Sequence, residues 1–292
     1  MSTLDRKIDF AVVLSVRNAN PNGDPLNGNR PRQNYEGLGE ISDVCIKRKV
    51  RNRLQDMGEA ILVQSDDRRD DGYRSIKERV DANAALQEHA KGKKADKELY
   101  ADIACQSWVD VRSFGQVFAF SGTDVSVGIR GPVSIHTAVS LAPIDISSMQ
   151  ITKSVNSVTS KDPDKKGSDT MGMKHRVDFG VYVFYGSINT QLAEKTGFTY
   201  EDALKIREAL RTLFENDTSS ARPDGSMEVH DLFWWEHSSK LGQYSSAKVH
   251  RSLQWRLTEK CIQAGGVPKS YSDYSFETTP LEGLEPQHHA GL

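Results

Sequence analysis

The chain has 292 residues, a formal net charge of −2 and a pI near 6.5. A chain so close to neutral cannot coat nucleic acid with its whole surface, because affinity for phosphates comes from clustered Lys and Arg, so any such role needs a local basic track. The apolar fraction of 37% suits a soluble globular protein, and no apolar run approaches the roughly 20 residues of a membrane span.

The three cysteines (Cys45, Cys105, Cys261) are isolated and lack metal spacing, which points to a reducing cytoplasm. The histidines form no HxxxH pair, so neither a zinc site nor any other cofactor is expected. Residues 8–16 (IDFAVVLSV) are apolar on both faces, as in a central strand covered on two sides. Arg17 to Gln33 (RNANPNGDPLNGNRPRQ) follows as a polar, rigid loop. Asn18, Asn20, Asn22 and Gly23 fit part of a calcium-loop pattern, but the position that must supply a bidentate Glu is Asn29. Calcium is therefore a poor fit.

Ser42 is placed to cap a helix running to about Met57, with Ile46, Val50, Leu54 and Met57 in one apolar stripe. Lys47, Arg48 and Arg51 share an arc outside that stripe, with Lys49 and Arg53 on its other flank. No acid interrupts residues 47–53, the densest positive cluster in the chain. Charge runs are usually solvated faces, but such faces usually alternate in sign.

Residues 66–97 turn to mixed charge and read as a helical, surface-rich insertion without a core of its own. DVRSFGQVFAF then reads as a strand region. From Val125 to Leu141 runs the longest period-2 alternation, with a bulge or edge expected at Pro132. Residues 145–176 read as a projecting β-hairpin, basic through Lys153, Lys161, Lys174 and Arg176 and locally apolar through Met149, Met171 and Met173. A strand (VDFGVYVFYG), a helix capped by Thr199 with Asp202, and a last strand at 227–236 complete the order. This is an α+β plan, an elaborated ferredoxin-like (RNA-recognition-motif-like) fold, which by itself selects no function.

NANPNGDP, ISDVCIKRKVRN, DVRSFGQVF, GIRGPVSIHTAVS and MGMKHRVDFGVYVFYG, in order from about residue 8 to 186, together resemble the backbone subunit of the type I-C CRISPR Cascade complex, a member of the RAMP superfamily. The resemblance implies a ferredoxin-like palm in three parts (1–60, 109–144 and 177–292 with the tail), a helical insertion (61–108) and a hairpin thumb (145–176). It implies a cytoplasmic, non-catalytic protein that polymerises head to tail along a CRISPR guide RNA. The guide pairs with target DNA, other Cascade subunits join the assembly, and a recruited helicase-nuclease cuts.

A protein that accepts any spacer sequence must hold phosphates and sugars rather than base edges. The expected RNA contacts are Arg17, Asn18, Asn20 and Asn22 in the loop, and Lys47, Arg48 and Arg51 on the first helix. Lys47 and Arg51, one turn apart, are spaced for successive phosphates. Arg112 and Arg130 on strands, and Lys153, Lys161, Lys174 and His175 on the hairpin, complete the set, with the methionines either wedging between bases or packing on the body. An ion pair is the competing role for Arg112 and Arg130. A ribonuclease using Asp24, Asp162 or Asp164 is the main rival function, but none of these acids is paired at a spacing for two-metal chemistry. A P-loop, a dinucleotide fingerprint, GxSxG and HExxH are all absent from the sequence.

Overall fold

The computed structural model describes residues 2–90, 92, 95–152, 154–155 and 171–292. In chain order these form β1 (Ile8–Ala19), β2 (Gly23–Asp24), β3 (Arg30–Gln33), β4 (Leu38–Ile41), α1 (Asp43–Asp56), α2 (Ile76–Ala82), α3 (Ala84–Glu88), α4 (Lys97–Ser107) and α5 (Val109–Phe114). Next come β5 (Gly115–Phe118), β6 (Val127–Arg130), β7 (Val133–Ile135), β8 (Ala138–Pro143), β9 (Ile146–Thr152) and β10 (Met171–Ile188). The chain closes with α6 (Thr190–Thr196), α7 (Tyr200–Arg211), β11 (Met227–Glu236), α8 (Ser246–Ser252), β12 (Leu253–Leu257), α9 (Glu259–Gln263), β13 (Tyr274–Thr278) and β14 (Gln287–Ala290).

The fold is mixed α/β around a large antiparallel sheet of order β14-β11-β1-β10-β8-β4-β3-β2, with β7 and β9 also paired to β10. Alternation along β1 decides the layers. Ile8, Phe10, Val12, Leu14 and Val16 face α1 and α7, while Ala11 and Val13 face α8, β12 and β13. Burial of each such large apolar side chain stabilises the fold by roughly 1.5–3 kcal/mol relative to leaving it in water. Helix α1 begins at its expected cap, the Ser42 side chain accepting from the Cys45 amide, and buries Ile46, Val50 and Leu54. Thr199 and Asp202 form the capping box of α7.

Several expectations are corrected. The loop after β1 contains strands β2 and β3, which form the far edge of the sheet. The alternation from Val125 to Leu141 divides into β6, β7 and β8, and β6 leaves the large sheet to pair with β5. Gly131 marks the break: a Cβ there would lie 2.3 Å from the Ser113 carbonyl oxygen and 2.5 Å from the Gly115 amide nitrogen. The DVRSF half of the expected strand is helix α5, and Gly115, at φ +81°, switches the chain into β5.

The helical region is not core-free. Leu62, Val80, Leu86, Tyr100, Ala104 and Trp108 pack with Phe118 and Val125 in a second hydrophobic cluster. Short helices hid it in part, because α2 and α3 together bury only Val80 and Leu86 in it, while α4 adds Tyr100, Ala104 and Cys105. Finally, β11 is not the last strand: β14 pairs with it, and β12 with β13 forms a ribbon over the second face.

Candidate nucleic-acid interface

Strand β10 is a single 18-residue strand whose C-terminal part runs through the sheet and whose N-terminal part pairs only with β9, from Met171 opposite Thr152 to Arg176 opposite Ser147. Beyond the sheet this stem has no third strand among the described residues, and its apolar side chains stay in solvent. Met171 is 66% exposed, Met173 57% and Ile151 47%. The alternative of methionines packed on the body is thereby removed. At the base of the stem, Arg30 on β3 donates to Ser148 Oγ at 2.8 Å, and the same oxygen lies 2.8 Å from His175 Nδ1. Ser148 Oγ accepts from the guanidinium and shares a hydrogen bond with His175 Nδ1, so one hydroxyl links β3 to both strands of the stem.

The end of β1 reaches the same place, since Ala19 pairs with Val177 and Arg17 with Phe179. The exposed Arg17 guanidinium sits 4.8 Å from the Phe179 ring centre and donates to the Lys269 carbonyl at 2.7 Å. Asn18 adopts φ 54°, a left-handed conformation that asparagine tolerates better than most residues. The Asn20 amide nitrogen Nδ2 donates to the Asn29 carbonyl at 2.7 Å, and its backbone N–H donates to the Ala221 carbonyl at 2.9 Å. Asn22 Oδ1 accepts the Ser42 amide at 2.8 Å and so holds the start of α1. The loop's rigidity thus serves its own geometry. Of the three expected asparagine donors, Asn20 and Asn22 are engaged inside the protein. Between this loop, the stem residues Met173, Lys174 and His175, and Ser220–Ala221 opens a cleft of roughly 270 Å³.

The cations of α1 differ from expectation. Each meets a partner within the protein, and for Lys49 and Arg51 it is an acid distant in sequence. Lys47 Nζ pairs with Asp43 at 2.9 Å, and Arg48 donates to the Val63 carbonyl at 2.7 Å while burial pulls its pKa down. Lys49 is buried against Asp217; burial lowers its pKa and the Asp217 charge opposes that. Arg51 Nε binds Asp110 Oδ2 at 3.0 Å with its guanidinium over Phe114. Arg53 donates to Thr212 Oγ1 at 2.7 Å.

Arg112, on α5 rather than a strand, makes a two-pronged pair with Asp202 at 2.8 and 3.0 Å. Burial works to lower its pKa, but Asp202 outweighs it and the net shift is upward. Arg130 is exposed on β6 and makes no side-chain hydrogen bond or ion pair among the described residues. Lys153 and Lys161 lie outside the described residues, as do Asp162 and Asp164. Asp24 caps the turn at Leu26 and lies 3.5 Å from Arg32. Among the described residues no three His, Cys, Asp or Glu side chains gather as metal ligands.

The cleft at the hairpin root therefore brings together Asn20, Lys174 and His175; Arg17 and Asn18 stand beside it at the end of β1, with Arg17 turned to Phe179 and Lys269, and Lys47, Arg48, Arg51, Arg112 and Arg130 are not among its lining residues. Arg30, Ser148 and the Ser220–Ala221 wall were not expected there. The alternation of Arg30 and Arg32 about Pro31 was a local signal for the first of these. The others carry no local signal.

A family model described as CRISPR-associated protein Cas7 matches residues 6–279. A curated relative, the CRISPR-associated protein Cas7 of Haloferax volcanii, is 25% identical over 235 residues, covering 75% of this chain and 67% of that protein. Among solved structures, a chain of a CRISPR RNA-guided surveillance complex in a pre-nicking state aligns with a TM-score of 0.47 at 16% identity, over 78% of each chain. A chain of another CRISPR RNA-guided surveillance complex aligns with a TM-score of 0.43 at 15% identity, over 78% of this chain and 68% of that one.

Proposed function

The chain belongs to the Cas7 family, and from that membership we propose that it is a guide-RNA-binding backbone subunit of a CRISPR surveillance complex, of the type I-C kind that its five ordered motifs resemble. The observation that carries the reading is the family match across residues 6–279. The hairpin root supplies a place for the RNA. Lys174 in the cleft and Arg17 beside it at the end of β1 offer charge to phosphates, and Met173 with Ile151 offers an apolar wall against which a base can stack. Phosphate contacts and stacking on an apolar wall carry no base-edge information, which suits a guide of arbitrary sequence.

The palm is read as ferredoxin-like. In support, β11, β1, β10 and then β7 and β8 lie side by side, with α1 and α7 on one face. Copies following one strand are related by a screw, so their contacts are heterologous and the assembly is an open filament. Target DNA paired to the guide, the other subunits of the complex and a helicase-nuclease recruited to it are the further partners of this reading. The protein itself serves as scaffold rather than nuclease. No helix among the described residues is long and apolar enough to cross a membrane.

Expression beside a CRISPR repeat array, followed by purification and sequencing of bound nucleic acid, tests the proposal. Repeat-derived RNA of discrete length is expected. Absence of any such RNA overturns it.

A further inference from the structure

Lys49 and Asp217 form an ion pair between α1 and the connection from α7 to β11. Lys49 is 4% exposed, with its ammonium 5.5 Å from the Phe214 ring centre. The same Asp217 oxygen accepts from Arg222 Nε at 3.2 Å, so one carboxylate ties both ends of a short loop to the helix. Within the loop, Ser219 and Arg222 exchange backbone hydrogen bonds at 2.9 and 3.0 Å. The residues between them, Ser220 and Ala221, form one wall of the hairpin-root cleft, and the Ala221 carbonyl receives the Asn20 amide.

We propose that Lys49 and Asp217 are positioning residues for the RNA cleft: they latch the 217–222 loop to α1 and thereby hold Ser220, Ala221 and Asn20 in place against the stem. The inference rests on the proposed RNA-binding role of that cleft. It assigns to a lysine of the KRKVR run an effect on RNA that passes through the protein and not through a phosphate. A loop of this composition (NDTSSARPDGS) has no large apolar residue to anchor it. Its placement depends on the buried charge pair and the backbone bonds that the pair supports. A buried pair of this kind adds little net stability but leaves its partner uncompensated when one member is removed. Here the loss is moderated, because Asp217 retains Arg222.

The test combines Lys49→Met with a second variant, Lys49→Met/Asp217→Leu, which removes both charges and leaves no buried carboxylate. Amide hydrogen exchange reports the latch without RNA. In both variants exchange at 217–222 and at Asn20 is expected to quicken, with the β9–β10 stem unchanged. Binding of an unstructured uridine-rich RNA oligonucleotide is then measured across a salt series. A loss of about tenfold, the scale of one contact of about 1.4 kcal/mol, is expected. The slope of log affinity against log salt should not change, whereas loss of a direct phosphate contact would flatten it by about 0.7.

Unchanged exchange overturns the latch. A flattened slope overturns it differently, by making Lys49 a phosphate ligand. Quickened exchange with full RNA affinity overturns the coupling to the cleft while leaving the proposed function standing. A wild-type chain that binds no RNA, by contrast, removes the proposed function and with it the cleft half of this inference, and the exchange result still decides the latch.

Discussion

Helix α1 and the root of the β9–β10 hairpin are both rich in cations, and they use them in opposite ways. On α1 five basic residues stand within seven positions, and each meets a partner: Asp43 on the helix itself for Lys47, and the Val63 carbonyl, Asp217, Asp110 and Thr212 brought by the fold for the others. At the hairpin root the cations are fewer and further apart in sequence, yet Arg17 rests on a ring rather than against an acid. Density of charge along a sequence is thus a poor measure of charge available to a ligand. What counts is whether the fold delivers a partner, and for α1 it delivers counter-charges from the α5 start and the chain after α7, and a carbonyl from the chain after Ala60. Salt should act on the hairpin root and acid on the paired cations.

The largest expected effect is on the α1 side. Asp110 is 1% exposed and accepts from Arg51 and from the amides of Leu62 and Val63, at 3.0, 2.8 and 3.1 Å. Asp110→Ala strands a half-buried guanidinium and two amides, and should cost about 3–5 kcal/mol in urea denaturation. RNA affinity per folded molecule should stay within twofold or so, since a lost hydrogen bond far from the cleft adds nearly independently. A large drop in affinity breaks the comparison, because it makes this end of α1 part of the RNA surface.

Next in size is the Arg112–Asp202 pair. Burial alone would raise the Asp202 pKa, but Arg112 and the capping bonds at Thr199 outweigh it and hold the carboxyl below its ordinary value. A carboxylate with a depressed folded pKa contributes stability that is fully present above its unfolded value of about 3.9 and is lost as pH falls through the folded value. Arg112→Met should therefore cost about 1.5–3 kcal/mol at neutral pH, the scale of a hydrogen bond to a charged group. The gap to the wild type should narrow as pH drops below about 4. Thermal melts over that range measure it, and a gap that stays constant would mean that Arg112 stabilises by packing alone.

A smaller effect belongs to the hairpin root. Arg17→Ala with Lys174→Ala should lower RNA affinity about tenfold, which is about 1.4 kcal/mol. The salt slope should flatten by about 1.4, two contacts at 0.7 each. The melting temperature should barely move, because both side chains lie at the surface away from the core. A change that depends on RNA sequence would instead point to base readout.

The smallest effect is Lys47→Ala. It removes an i,i+4 pair with Asp43 that is partly exposed, worth about 0.3–0.5 kcal/mol. RNA binding is expected to remain as in the wild type. A flattened salt slope here would revive the phosphate role that the spacing of Lys47 and Arg51 suggests.

The local grammar of the chain was legible wherever a period or a cap is written in neighbouring residues. The continuous apolar run of β1 gave a strand covered on both faces; Ser42 gave the start of α1; Thr199 and Asp202 gave the capping box of α7. The hairpin was legible too, because its two strands and their apolar, basic composition are close in sequence. These features depend on contacts within a few residues, and a sequence records such contacts directly.

Tertiary structure alone decided the rest. The alternation from Val125 to Leu141 is compatible with one strand, and only the approach of Gly131 to the α5–β5 turn divides it. Residues 66–97 carry too few apolar residues in any one window to announce a core, and the cluster forms only when Phe118 and Val125 return to it. The basic run of α1 contains no acid, so its local pattern holds no trace of Asp110, 59 residues on, or of Asp217, 168 residues on. Electrostatic and packing energies depend on distance in space, and the chain's path sets that distance. At the hairpin root the sequence named Asn20, Lys174 and His175 but not Ser148, Ser220 or Ala221; that these meet there while the helix cations are taken up elsewhere was settled by the fold.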